Sequence, residues 1–177
     1  MSEAKLFDSP GIGIQLGNDR IAAITDTDTG RACVEAIIKC EPLRVYELLT
    51  DYRNLPTHIS GLRGASLIGQ SNDSASVEFT MKLPFPIGTV RWTNTIKTHE
   101  SDGSYRIAWT LVEGDLTECS GNIVMRPADD LGTTTRASYQ IHVSQRSLLP
   151  KRAQRTAVNW LLPRVARRLF AKLESAV

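Results

Sequence analysis

From Gly61 to Ser144 the chain repeats one pattern: short stretches in which apolar and polar residues alternate, cut at close intervals by turn-forming clusters. Successive side chains of a strand point to opposite faces, so each stretch reads as a strand with one buried side. LRGASLIG opens the series. SVEFTMKL places Val77, Phe79, Met81 and Leu83 on one face. TVRWTNTIK places Val90, Trp92, Asn94 and Ile96 on one face, with Arg91, Thr93, Thr95 and Lys97 on the other. SYRIAWTLVE groups Tyr105, Ile107, Trp109 and Leu111, and TTTRASYQIHVS groups Ala137, Tyr139, Ile141 and Val143. QSNDS, PFPIG, ESDG, EGDLTE and ADDLG separate them as turns or breaks. Strands spaced this closely leave no room for crossover helices. Sequence neighbours therefore pair antiparallel, as a meander.

What flanks the meander completes the fold class. RACVEAIIKC alternates, with Val34, Ala36 and Ile38 on one parity and Arg31, Glu35 and Lys39 on the other, which is one more half-buried strand. Pro42 suits the first turn of a helix, and Val45, Leu48, Leu49 and Tyr52 follow at helical spacing. That helix is expected to end near Leu55-Pro56, with a second short turn over Pro56 to Ile59. After Leu149-Pro150, the residues Val158, Leu161, Leu162, Val165, Leu169 and Leu173 recur at steps of three and four. They form the apolar stripe of a long helix from Pro150 to Glu174, kinked near Pro163 and about 40 Å long. A one-sided sheet must be covered, and this helix alone has the length to do so. The expectation is an α+β fold in which a curved antiparallel sheet of about seven strands wraps a long C-terminal helix. Its element order is β-α-α-β-β-β-β-β-β-α. Residues 1–30 precede it as an extension, in which GIGIQL and RIAAIT around GND suit a β-hairpin.

Composition narrows the class. In 177 residues, 41% are apolar and 23% charged, which fits a globular domain and excludes disordered and disulfide-scaffold readings. No apolar run approaches the roughly 20 residues of a membrane-spanning helix, and MSEAKLFDSPG lacks a secretory signal. The expected location is the cytoplasm, free or peripheral to a membrane. Cys33, Cys40 and Cys119 have no metal-ligand spacing and read as buried or half-buried thiols. Charge is uneven. The tail carries Lys151, Arg152, Arg155, Arg164, Arg167, Arg168 and Lys172 against Glu174 alone. This basic face is either solvated or docks on an anionic membrane surface. Its few aromatic companions, Trp160 and Phe170, argue against nucleic acid.

Several segments resemble the START/polyketide-cyclase superfamily, also called helix-grip or SRPBCC. They are Val45-Tyr-Glu-Leu-Leu-Thr-Asp-Tyr-Arg-Asn-Leu-Pro56, Glu113-Gly-Asp-Leu-Thr-Glu-Cys-Ser-Gly-Asn122, Gly132-Thr-Thr-Thr-Arg-Ala-Ser-Tyr139, and Ser147-Leu-Leu-Pro150 before the basic helix. Within the superfamily the chain is most similar to the branch of coenzyme Q-binding and polyketide cyclase/dehydrase and lipid-transport proteins. The resemblance runs from about Ala32 to the end and makes residues 31–177 a START-like ligand-binding domain. It implies a hydrophobic cavity between sheet and helix that takes a lipid, an isoprenoid quinone or a polyketide-like molecule. It transfers no catalytic set and implies no cofactor.

The residues expected to line that cavity are Tyr52, Phe79, Met81, Trp92, Asn94, Trp109, Leu111, Tyr139, Ile141 and Trp160. Trp92 and Trp109 share the apolar parity of neighbouring strands. They either stack on a planar ligand or pack as core. Asn94 is polar on the same parity, so it either bonds a ligand oxygen or marks an exposed strand end. Tyr52 and Tyr139 point hydroxyls into one space or anchor to backbone and solvent. His58, His99 and His142 are acid–base candidates by residue type alone, with His58 nearest the expected cavity mouth. No GxSxG, HExxH or phosphate-loop pattern occurs, and no metal or catalytic residue is assigned. Non-enzymatic binding or transport of an apolar molecule is the expected function. A polyketide aromatase/cyclase or dehydratase in the same cavity is the alternative, and a ligand-free assembly module is a third reading.

Overall fold

The computed structural model describes residues 30–72, 74–83 and 88–145, and the backbone of 12–15 and 21–26. Its strands are β1 (Ile12–Gln15), β2 (Ile21–Asp26), β3 (Arg31–Ile38), β4 (Leu62–Gln70), β5 (Ala75–Lys82) and β6 (Thr89–Ser101). They continue with β7 (Ser104–Gly114), β8 (Leu116–Pro127) and β9 (Thr135–Gln145), and two helices, α1 (Pro42–Thr50) and α2 (Leu55–His58), lie between β3 and β4. All strands join one antiparallel sheet in the order β1-β2-β3-β9-β8-β7-β6-β5-β4. The seven strands β3 to β9 are the expected antiparallel sheet. β1 pairs with β2, and β2 with β3, at one edge. The expected C-terminal helix, Trp160 within it and its basic face lie outside the described residues.

The topology follows from one long-range closure. β4 to β9 run as a meander, each pairing with the next. The last of them returns to pair with β3, from Arg31↔His142 to Ile38↔Thr135. After β3 the chain must therefore travel to the far edge before β4 can start, and α1 and α2 carry it there. Both helices pack their apolar sides onto one face of the sheet. Val45 and Leu55 are buried in a cluster with Val34, Ala36 and Ile38 of β3, Val77 and Phe79 of β5, Ile107 of β7, Ile123 and Met125 of β8 and Ala137 of β9. The Tyr46 ring stacks on Tyr105 at 5.0 Å between centroids. The buried Thr135 hydroxyl donates to the Cys40 carbonyl at 2.6 Å, tying the start of β9 to the exit of β3.

Two boundaries differ from expectation. α1 ends at Thr50 rather than near Leu55. The Thr50 hydroxyl bonds back to the Tyr46 carbonyl at 2.9 Å, and the Asp51 carboxylate accepts from the Asn54 amide nitrogens of backbone and side chain. These local bonds offer the backbone an alternative to another helical turn. The EGDLTE turn is also narrower than expected, since β7 runs to Gly114 and β8 begins at Leu116. Asp115 secures that tip. Its carboxylate accepts from the Arg91 N–H at 2.8 Å, and its own N–H donates to the Arg91 carbonyl at 2.8 Å. Among the described residues no helix is long and apolar enough to cross a membrane.

Two expected outcomes test this account. Thr135→Val keeps the volume but strands the buried Cys40 carbonyl. It should cost about 1–3 kcal/mol, seen as a lower urea midpoint at unchanged slope. Asp129 in the ADDLG turn accepts from the Thr134 hydroxyl and from the N–H and hydroxyl of Thr133 at 2.9 and 3.0 Å, which holds its carboxyl below the usual range. A depressed native pKa stabilises the fold above the unfolded value, and that contribution is lost as pH falls through the native one. Asp129→Asn should therefore flatten the acid limb of a stability–pH curve and leave its shape near neutrality unchanged.

Candidate functional site

Residues directly opposite each other in a ladder share a face, so the registers fix which side chains meet on the helix-bearing side. The two-residue turn between β6 and β7 has Asp102 at φ 48° and Gly103 at φ 70°, the positive angles of a type I′ hairpin. That turn aligns Ser101 with Ser104 and so places Trp109 opposite Ile96. Phe79 lies opposite Trp92, Trp109 opposite Gly121, and Gly121 opposite Ile141. Val112 is an extra residue on β7, because Thr93 pairs with Glu113 while Asn94 pairs with Leu111. This bulge keeps Leu111 inside and turns Val112 and Glu113 outward, where both are exposed.

Both tryptophans thus face inward, as their parity requires, but they are not neighbours. Trp92 stacks on Phe79 at 5.4 Å, and Trp109 stacks on Tyr139 at 5.6 Å. Trp109 reaches β9 from β7 because nothing stands on β8 between them. A Cβ at Gly121 would lie 2.5 Å from the Trp109 ring atom Cζ2 and 2.2 Å from the Gln140 carbonyl. Gly114 serves the other tryptophan. It sits opposite Trp92 at φ 129°, where a Cβ would come within 2.5 Å of the Trp92 Cα and the Arg91 carbonyl. Gly114 and Gly121 both lie in the EGDLTECSG segment, so that segment shapes the wall as well as turning the chain. The sequence signal was present: both glycines fall opposite an indole once the hairpin register is known.

The fully buried core stops partway along this face. Trp92, Trp109, Tyr139 and Met81 pack against it but stay partly accessible, as do Leu111 and Ile141. Among them lies Asn94, only 4% exposed and in mid-strand, which removes the reading of Asn94 as an exposed strand end. Its amide NH₂ donates to the Cys119 Sγ at 3.6 Å. Among the described residues, the side-chain polar atoms left buried without a hydrogen-bond partner are its Oδ1 and the Nε1 of Trp92. Cys119 is expected as a buried or half-buried thiol but not as part of this wall, although Cys119, Gly121, Ile123 and Met125 alternate inward on β8. Burial pushes its thiol up, against the contacts from Asn94 and Trp109 that pull it down. The Tyr139 phenol is likewise pushed far up by burial.

Tyr52 stands apart from Tyr139. It lies just past the end of α1, half-buried against the core, with its phenol pushed up by burial and then by Tyr46. His58 is half-buried at the end of α2, His99 is exposed near the end of β6, and His142 lies on β9 opposite Ser120. The three imidazoles do not converge. Cys33 is half-buried and Cys40 and Cys119 are buried, all as free thiols.

Comparison with known proteins adds a family. A sequence model described as "Polyketide cyclase / dehydrase and lipid transport" matches residues 38–170. No curated protein matches the sequence. Among solved structures, a STAR-related lipid transfer protein from Xanthomonas axonopodis superposes with TM-score 0.72 at 14% identity, over 89% of this chain and 96% of that one. Human StAR-related lipid transfer protein 5 gives 0.67 at 14% identity, over 90% and 83%. The Zhui aromatase/cyclase from Streptomyces gives 0.69 at 11% identity, over 82% and 92%. At these identities the likeness is one of fold.

Gly121→Ala should displace the Trp109 ring and cost about 1–3 kcal/mol through overpacking. A changed near-ultraviolet circular dichroism signal would report the lost Trp109–Tyr139 stack. Asn94→Leu replaces a partly unsatisfied buried amide with an apolar group of similar size. It should raise thermal stability by about 1 kcal/mol in the ligand-free protein.

Proposed function

Because the chain belongs to the polyketide cyclase/dehydrase and lipid transport family, we propose that it binds an apolar small molecule on the helix-bearing face of its sheet and carries it unchanged. The observation that supports this most is the end of the packed core. Large apolar side chains, Trp92, Trp109, Met81, Leu111 and Tyr139, stand on the same face beyond it while keeping accessible surface. Apolar surface of this kind, with a few polar groups set into it, is what a ligand site presents. Each Å² of ligand removed from water there contributes about 25 cal/mol before ordering costs. Candidate cargoes are a lipid, an isoprenoid quinone or a polyketide-like molecule. Phe79 and Ile141 are proposed to extend the wall, with Tyr52 and Trp160 as further candidates.

The competing reading is a cyclase or dehydratase in the same space, as the word "aromatase/cyclase" describes the Streptomyces structure. That chemistry needs an acid and a base whose pKa values lie near the working pH. Burial holds the Tyr139 and Tyr52 phenols above their usual range, which suits donors that keep their protons. The carrier reading is the better supported.

The basic residues between Lys151 and Lys172 give the carrier a means of meeting its source. Each Lys or Arg close to an anionic leaflet contributes up to about 1 kcal/mol. Binding to phosphatidylserine vesicles should exceed binding to phosphatidylcholine vesicles and fall with added salt. Cargo is tested by delipidating the full chain, adding a polar-lipid extract or ubiquinone, and recording native mass spectra. One bound molecule per chain is expected, and Trp109→Ala should weaken it roughly tenfold, the scale of a lost aromatic contact. A chain that stays empty with every class offered would refute the carrier function.

A further inference from the structure

The ligand-facing wall holds two buried polar atoms that its own chain does not satisfy, and they are of opposite kind. Trp92 Nε1–H is a donor and nothing else, and Asn94 Oδ1 is an acceptor and nothing else. They sit at positions i and i+2 of β6, on one face, with Cα atoms about 6.5 Å apart. The orientation of Asn94 is set by its other end. Its NH₂ donates to Cys119 across the β7 position held by Leu111, which leaves Oδ1 as the free end of the amide. The Trp92 ring is held by its stack on Phe79. Neither group is free to turn away without giving up a contact it already makes.

Buried polar groups are paired in folded proteins, because an unpaired one forfeits its hydrogen bond to water and gains none. Two such orphans, two residues apart on one face of β6 in a largely apolar wall, mark where a partner arrives. Resting on the proposed binding of an apolar molecule at this face, we infer that the molecule carries a hydroxyl group, which accepts from Trp92 Nε1–H and donates to Asn94 Oδ1. A hydrocarbon satisfies neither atom. A ketone, ester, ether or oxidised quinone satisfies Trp92 but sets a second acceptor against Asn94 Oδ1. A hydroxyl is the smallest group that is donor and acceptor at once. The cargo class is therefore an apolar alcohol or phenol, including the reduced quinol in preference to the quinone.

A set of probes with one ring skeleton separates this from the apolar reading beneath it. Naphthol, methoxynaphthalene and naphthalene are titrated against the full chain, with tryptophan fluorescence as the readout. Naphthol should bind roughly tenfold or more tighter than the other two, the scale of one buried hydrogen-bond partner restored. Asn94→Leu and Trp92→Phe should each cut that preference, read as the ratio of naphthol to naphthalene affinity within the same variant. Equal binding of all three by the unaltered chain would overturn the hydroxyl assignment and leave apolar binding standing. Tighter binding of methoxynaphthalene than naphthol would overturn it too, since the amide would then be presenting its NH₂. A preference for naphthol that survives in both variants would place the hydroxyl elsewhere. If none of the three binds, the apolar reading fails and this one with it.

Discussion

The pairing of β3 with β9 is the constraint on which the rest depends. It joins β3 to the last strand of the meander, across about a hundred residues of intervening chain. Once those two strands are adjacent, β4 must begin at the opposite edge, and the connection must cross the sheet. That crossing is made by α1 and α2, whose apolar sides then have one surface available to them. The face chosen by the helices is the face that becomes the interior. The bond from Thr135 to the Cys40 carbonyl lies where this closure is made, at the end of β3 and the start of β9.

Along that face the packing changes character. Near α1, aliphatic side chains and the Tyr46–Tyr105 stack fill the space. Toward the β7–β8 tip, aromatic rings are held in place by neighbours on their own face, with glycines where a Cβ would collide with an adjacent strand. A wall of this kind is stiff without being fully covered. Stacking holds each ring at roughly 0.5–1.5 kcal/mol beyond its burial, so the surface is preorganised for whatever rests on it. The buried amide of Asn94 runs against the stability of the empty protein. Under the proposed hydroxyl contact, the bound state offsets that cost, the usual trade between stability and function.

Much of the fold was legible in advance because alternation is a local property. The inward parities of β5, β6, β7 and β9 were each readable from a few residues, and the Asp102-Gly103 pair announced the turn between β6 and β7. Where α1 ends was less legible, since Thr50 and Asp51 act through bonds whose partners depend on the backbone path. The β7–β8 tip was misjudged in extent because turn-forming residues there sit inside strands. Gly114 and Asp115 are held to β6, and that hold comes from a neighbouring strand.

The sequence by itself determined which side chains share a face within each strand: Trp92 with Asn94, and Trp109 with Leu111, because a strand repeats every two residues. Only the tertiary structure decided which of them meet. Trp109 pairs with Tyr139 rather than Trp92 because the β6–β7 register sets Trp109 against Ile96 and because Gly121 leaves the intervening strand bare. Asn94 meets Cys119 across a strand, and its oxygen is left facing the wall unpartnered. Parity is a property of one strand, whereas contact depends on register, bulges and missing side chains on several. That difference is why the face was readable from the chain and the two unpartnered polar atoms on it were not.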